Sequence, residues 1–464
     1  MKFRKRYSIF ALLILLLIGS LWKEALALMT PEEEKKLGKK ILLEMEGKLG
    51  MVKDPTLQAF INKIGYSLVA QVGASPFEYK FYLVNSTDPN AYAIPGGHIF
   101  LTTGLIVLAE NEHEVAGVIS HEISHAQARH VAELIERSKR LNLATLAAIV
   151  AGILVGGGGK TSEAVTLTAL SAGQALTLKY TREMEVDADH QSLNYMTKAG
   201  YDPNGLISFL NKIYKISLTS GPKIPAYLST HPATENRISL LENLLQSGQK
   251  PKGPFKEILG FKKIKAKAFV EEREPNVAVT HFQSLIDQHP KELEGYYGLG
   301  LAFRKMGRLD KSTESFQEAR SLNPRDPDVL RELGIVYFLS GKIDQAIEVL
   351  EAGRSFSSDP DHLALYYLGR GYQEKGNLEK ALSLFLEVKK EIPDFVDIYL
   401  SIGSVYGRMG EKGLSHFYYG KHFKLKGDKT NALLHFRTAL EWLERGMPER
   451  EEAQREIREL GRNG

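Results

Sequence analysis

From residue 31 to about 72, apolar residues recur at three- and four-residue spacing, through EEEKKLGKKILLEMEGKLG and again through LQAFINKIGYSLVAQV. This spacing predicts helix. Tyr79–Val84 reads as a strand, and Asp88, Pro89 and Asn90 mark a turn. The run AYAIPGGHIFLTTGLIVLAEN then surrounds a Pro-Gly-Gly with β-favouring residues, the pattern of two short strands running into a helix. Between Glu112 and about Arg140 the only Gly or Pro is Gly117, and the apolar spacing predicts one long helix. Residues 141–159 (LNLATLAAIVAGILVGGGG) carry no charge and end in four glycines. A second apolar-rich helix is expected from about Ser162 to Tyr180. Another is expected in TREMEVDADHQSLNYMTKAGYDP, ending near Gly200.

The C-terminal part is periodic. Gly300, Gly334, Gly369 and Gly403 stand 34, 35 and 34 residues apart, and the series Gly307, Gly341, Gly376, Gly410 and Phe303, Tyr337, Tyr372, Tyr406 keep the same steps. A period of about 34 residues is that of the tetratricopeptide helix-turn-helix unit. The first glycine lets paired helices approach and the second sits in the turn. The second helices offer Phe316, Leu350, Phe385 and Tyr419 as knobs, and Pro324 and Pro393 close two units, whereas Ser358 and Gly427 stand where Pro is usual. A half unit from Pro275 to Pro290 and a helix from Lys429 to Leu443 are expected to cap the stack.

The first residues change the picture of the whole. Lys2, Arg4, Lys5 and Arg6 precede an apolar run from Ile9 to Trp22, with small residues at Ala25 and Ala27, so residues 1–27 read as a secretory signal cleaved after Ala27. A retained anchor is the alternative. The formal charge of +4 arises in this leader; without it 55 basic face 55 acidic residues. A neutral chain has no electrostatic footprint for nucleic acid. Cysteine is absent, which excludes a disulfide framework. The expected domains are the signal over 1–27, a catalytic domain over 28–245, a linker over 246–268, repeats over 269–445 and a charged tail over 446–464. The fold class is mainly α: an α+β catalytic domain with a small sheet, then an α-solenoid.

Candidate chemistry centres on HEISH. His121 and His125 are about 40° apart around a helix axis and can reach one metal. Glu122 adjoins them, placed to act as base on a metal-activated water. A zinc site needs a third protein ligand, and Glu185 in TREMEVDAD is the best candidate. Asp189, one turn later, suits a hydrogen bond to a ligating histidine. Glu183 and Asp187 point elsewhere and read as a solvated face. His130 is about 140° from His125 around the predicted helix and is not expected to share the metal. His98 reads as a surface histidine in an edge strand beside the cleft. Residues 141–159 are expected to cover the site, with peripheral membrane contact as a further role; a plain core helix is the alternative.

The runs NAYAIPGGHIFLTTGLI, EHEVAGVISHEISHAQARH, TREMEVDAD and STHPATENRI, in that order over about residues 31–245, resemble the metallopeptidase family of the HtpX-like and CAAX prenyl-protease enzymes. The resemblance implies His121, His125 and Glu185 as ligands of one Zn2+ and Glu122 as catalytic base. It places His231 and Arg237 in a motif over the active site. Thr181 stands where the family often has Ser before Arg182, and the several membrane spans of HtpX-like enzymes are not matched here. The signal-bearing form with repeats is similar to the subgroup of β-barrel assembly-enhancing proteases of the bacterial periplasm. That implies unfolded or outer-membrane protein substrates and assembly machinery as a partner of the repeats. Three readings of His231 stand open: a ligand that closes the metal site and keeps the enzyme latent, a transition-state contact, or a turn cap before Pro232.

The expected reaction is peptide-bond hydrolysis by a zinc endopeptidase. Substrate would lie extended along Asn90, Ala91, Ile94, Pro95, Gly96 and Gly97, since a strand edge pairs with an extended peptide. The rival is a repeat-based periplasmic chaperone or scaffold with a latent protease domain. A membrane-anchored protease is a second rival.

Overall fold

The computed structural model describes residues 29–46, 49–137, 142–155, 180–219, 225–232, 235–247, 255, 260–357 and 359–462. The signal expected over 1–27 and the helix expected over 162–179 lie outside the described residues. The chain divides into two compact units between Arg273 and Glu274.

In the first unit the 31–72 stretch forms α1 (Pro31–Glu46) and α2 (Pro55–Val69). Asp54 caps α2 by accepting from the Thr56 and Leu57 amides, with Pro55 opening the helix. Strands β1 (Lys80–Val84), β2 (Ala91–Ile94) and β3 (His98–Thr102) form one sheet in the order β1-β3-β2. β3 pairs parallel with β1 and antiparallel with β2. His98 is therefore in the central strand, not an edge strand, and its Nδ1 lies 2.9 Å from the Tyr82 hydroxyl. β2 is the edge. The hairpin between β2 and β3 turns at Gly96 and Gly97, whose φ values of +85° and +87° require glycine.

Helix α3 (Thr103–Leu108) follows β3 directly, and α4 (Glu112–Gln127), capped by Asn111, carries HEISH. The single long helix expected to Arg140 is not formed. It stops at Ala128; Arg129 takes φ +60°, and α5 (His130–Arg137) starts in a new direction. A non-glycine residue holds that conformation only where its surroundings impose it. Here the Arg129 guanidinium donates to the buried Glu34 carboxylate of α1 at 2.7 Å and to the Met29 carbonyl.

Among the described residues the further helices of this unit are α6 (Leu143–Val155), α7 (Arg182–Ala199), α8 (Asn204–Thr219), α9 (Ala226–Thr230), α10 (Glu235–Ser247) and α11 (Phe261–Glu272). α4 is the axis of the unit, packed by α7, α8, α2 and β2. Gly117 allows the α8 crossing, since a Cβ there would stand 2.8 Å from the Leu206 backbone; reciprocally, a Cβ at Gly205 would stand 2.3 Å from the His113 carbonyl. α6 packs on α1 and reaches β2, with Leu146, Ala147, Ile149, Val150 and Ala151 buried. Among the described residues no helix is long and apolar enough to cross a membrane. The linker expected over 246–268 is structured in its second half: α11 packs against α3 and α2 and contributes Phe261 and Ala268 to this unit's core.

The second unit is a run of antiparallel helices: α12 (Pro275–Gln288), α13 (Leu293–Lys305), α14 (Leu309–Leu322), α15 (Pro327–Leu339), α16 (Ile343–Phe356), α17 (His362–Glu374), α18 (Leu378–Glu391), α19 (Val396–Arg408), α20 (Lys412–Leu425), α21 (Lys429–Trp442) and α22 (Pro448–Arg462). A Cβ at Gly300, Gly334, Gly369 or Gly403 would meet Phe316, Leu350, Phe385 or Tyr419 at 2.8, 2.5, 2.6 or 2.7 Å, so each knob fills the space its glycine leaves. The tail expected over 446–464 is not a free charged segment, because residues 448–462 form α22. It buries Ala453 and pairs Glu452 and Glu456 with Lys421 of α20 at 2.6 and 3.3 Å.

Candidate metal centre

Four side chains converge inside the first unit. α4 supplies His121 and His125, α7 supplies Glu185, and His231 stands at the C-terminal cap of α9. One donor atom from each lies within 4.8 Å of all the others, and all four residues are buried. His125 Nε2 is 3.0 Å from His121 Nε2, His231 Nδ1 is 3.4 Å from His121 Nε2, and Glu185 Oε1 is 3.0 Å from His231 Nδ1 and 3.4 Å from His125 Nε2. A tetrahedral zinc site has donor-to-donor edges of about 3.3 Å. The donor set of three imidazoles and one carboxylate thus suits a divalent ion of zinc type in chemistry and in spacing.

The outer nitrogens are held in place. Asp189 Oδ1 is 3.0 Å from His121 Nδ1, on the side of the ring away from the cluster, where a carboxylate favours a proton on Nδ1 and turns Nε2 inward. His125 Nδ1 is 2.9 Å from His130 Nδ1, so His130 orients the second histidine in the same way. The sequence reading set His130 apart because a continuous helix would point it elsewhere. The break at Arg129 brings it back, although it stays outside the four-donor set. Asp187 is half-exposed, with its carboxylate 3.8 Å from His130 Nε2.

Arg237, on α10, is buried between the two carboxylates. Its Nη1 pairs with Glu185 Oε2, and its Nε and Nη2 bind Asp189, the latter at 2.7 Å. Burial alone pushes the Glu185 carboxyl up, but Arg237 and then His231 hold it well below the usual carboxylate range. The Glu122 carboxyl is moved the opposite way, upward, because burial dominates there. Among the described residues no side chain hydrogen-bonds it, and His231 Nε2 faces it at 3.4 Å. Two carboxyls in one pocket with opposite shifts are the arrangement expected of one fixed anion and one proton acceptor. Burial keeps His125 well below the usual imidazole pKa, hence neutral and able to donate its lone pair.

Three buried tyrosines complete the pocket. Tyr180 stacks on His125 at 3.8 Å and Tyr227 on His231 at 4.7 Å, while Tyr92 of β2 lies 6.5 Å from His231. None was singled out from the sequence. The spacing of Tyr227, four residues before His231, was the available signal, because it puts both side chains on one helical face.

The strand proposed for substrate is less open than its sequence suggests. Asn90 and Ala91–Ile94 are buried, and the Asn90 side-chain amide donates to the Ile153 carbonyl of α6. Pro95, Gly96 and Gly97 are buried beneath α1 and the 77–78 segment: a Cβ at Gly38 would overlap the Pro95 carbonyl, and one at Gly97 would stand 3.0 Å from the Glu78 carbonyl.

An HExxH helix, a glutamate returned by a second helix and a buried base define a metallopeptidase-type domain, here followed by an α-solenoid. More particularly, residues 55–245 match the model of peptidase family M48, and residues 265–320, 297–360 and 363–394 match tetratricopeptide repeat models, so the chain carries an M48 domain followed by such repeats. The β-barrel assembly-enhancing protease of Yersinia pestis is 31% identical over 228 residues, which cover 49% of this chain and 47% of that protein. The protein of the same name from Escherichia coli K12 is 29% identical over 213 residues, covering 46% and 43%. A mitochondrial metalloendopeptidase OMA1 of Schizosaccharomyces pombe is 27% identical over 190 residues, covering 41% and 53%. The chain spans about half the length of the curated relatives it matches.

Proposed function

We propose that this chain is an exported zinc-dependent endopeptidase of the bacterial periplasm that acts on misfolded or unassembled outer-membrane proteins recruited through its repeats. The observation that carries the reading is the convergence of His121, His125 and Glu185 beside a buried Glu122 whose carboxyl is shifted upward. His121, His125 and Glu185 would hold the ion, which would supply Lewis-acid polarisation of the scissile carbonyl and of the attacking water. Glu122 would take the proton of that water and return it to the leaving amine nitrogen, and the burial that raises its pKa favours its holding the proton in between. Asp189 and His130 keep the ligand nitrogens aimed inward, and Arg237 fixes Glu185 and Asp189. An extended peptide would pair along the outer side of β2 at Ala91–Ile94, which is buried in this conformation and must be uncovered first. The start of that edge is crossed by α6, through the bond from Asn90 to Ile153. The names of the relatives support outer-membrane protein assembly as the setting, and the basic-then-apolar leader supports export.

A second reading concerns His231. Its Nδ1 supplies a fourth protein donor, and a donor set closed by protein is that of a resting site, whereas a catalytic one keeps a position open. In this conformation the domain is latent, and activity requires His231 to move aside.

The test is degradation of an unfolded outer-membrane protein by residues 28–464, with and without a zinc chelator. Chelator-sensitive cleavage, lost in Glu122→Gln and faster in His231→Ala, is the expected result. Absence of cleavage in every form, with one zinc bound per chain, would overturn it in favour of a repeat-based chaperone.

A further inference from the structure

We infer that Tyr180 and Tyr227 are positioning residues that hold the His231 imidazole in the fourth donor place, so that their ring contacts set how often the donor set opens. This rests on the reading of the cluster as a metal centre.

His121, His125 and Glu185 project from helices of 16 and 18 residues, whereas His231 caps a helix of five. Among the described residues one backbone bond, His231 N–H to the Tyr227 carbonyl at 2.9 Å, ties its main chain, and its Nε2 has no hydrogen-bond partner. A short helix with one such bond does not by itself fix a side chain. The imidazole is located by Glu185 Oε1, 3.0 Å from Nδ1, and by rings on its faces. Tyr227 stacks on it at 4.7 Å and 19°, and Tyr180 lies against it at 4.8 Å and 36°. Tyr180 also stacks on His125 at 3.8 Å and 23°, so one phenol ring ties His231 to a ligand rooted in α4. The Tyr180 amide donates to the Thr230 carbonyl at 3.3 Å, which joins the backbone before α7 to the residue preceding His231.

Tyr227 is fully buried, and among the described residues its hydroxyl has no hydrogen-bond partner. Its contact with His231 is made by the face of the ring, which lies 19° from parallel to the imidazole. An aromatic pair of this kind shifts an equilibrium by about two- to tenfold beyond its area burial. Loss of either ring should raise the open population by that factor, and the apparent affinity for any ligand of the open state rises in proportion.

The experiment loads the full chain with Co(II) and titrates it with acetohydroxamate, following the visible cobalt spectrum, so no proteolysis is needed. Tyr227→Leu and Tyr180→Leu are each expected to tighten hydroxamate binding about two- to tenfold, and Tyr227→Phe to keep the wild-type affinity. In a His231→Ala background, which opens the site outright, Tyr227→Leu should add nothing. Wild-type affinity in both leucine variants, or an undiminished leucine effect without His231, would overturn the inference. If a leucine variant fails to load cobalt, the corresponding Met variant is measured in its place with the same expectation. A wild-type chain that takes up no cobalt sinks the metal-centre reading itself, which is a different failure.

Discussion

Replacement of Arg237 by Met is the sharpest test of how the site is supported. The guanidinium is about 5% exposed and is shared by two carboxylates that are themselves nearly inaccessible, Glu185 and Asp189. Methionine fills similar length but leaves both anions buried without their cation. Removing one partner of a buried pair costs about 3–5 kcal/mol, here with two anions dependent on one cation. The sign with pH follows from the depressed pKa values. Both carboxyls titrate below their ordinary values because of Arg237, so their stabilisation is present above the unfolded carboxylate pKa and is lost as pH falls through the folded one. In Arg237→Met burial acts unopposed by the guanidinium. The deficit is therefore largest near pH 8 and shrinks toward pH 4–5 as the carboxyls take up protons. The assay is hydrogen exchange of the α4 amides in the full chain. A loss of about 3–5 kcal/mol predicts exchange faster by roughly a hundred- to several-thousandfold at pH 8. Arg237→Lys, which keeps the charge without the planar fork, should fall between. Less than a tenfold change in Arg237→Met, or a deficit that grows on acidification, would refute the reasoning.

Glu122→Gln is expected to retain the metal, since Glu122 is not one of the four clustered donors, while peptide cleavage falls by about 10²–10⁴; metal analysis beside a cleavage assay checks both. Gly117→Ala gains about 1 kcal/mol of helix propensity, yet its Cβ would press to 2.8 Å on the Leu206 backbone. A net loss of about 1–3 kcal/mol is expected in thermal melts, and a stabilised variant would show that α4 and α8 can part cheaply. Burial pushes the Glu272 carboxyl up from 4.5 to about 7, against the opposing Arg273. The folded chain then keeps that proton through a pH range in which the unfolded chain releases it, so stability falls as pH rises from 4.5 to about 7 and is level above. Glu272→Gln should remove that slope from a series of melting temperatures; an unchanged slope would assign it elsewhere.

The repeats were legible because their information is local. A glycine at a fixed step and an aromatic or leucine knob sixteen residues later, such as Gly300 and Phe316, meet across one turn, so period and partner are both visible along the chain. His121, Glu122 and His125 were legible for the same reason, since one helical turn brings them together. Glu185 was found through its motif, not by distance. The break at Arg129 was hidden because its cause lies 95 residues away at Glu34, and nothing in HAQARHVAELI marks it. With the break went the true place of His130. The sheet order was hidden as well: alternation identifies strands but not which one is central, and so His98 was placed in an edge strand although β3 lies between β1 and β2. α22 reads as a charged tail because its Glu side chains find Lys421 and Lys424 only after the stack has formed. Each miss is a polar or aromatic residue whose neighbour is supplied by a distant element. The tyrosines around His231 belong to this class: the chemistry of the donors was readable from residue type and spacing, whereas what keeps the fourth donor in place depends on rings brought from β2, the residue before α7, and α9.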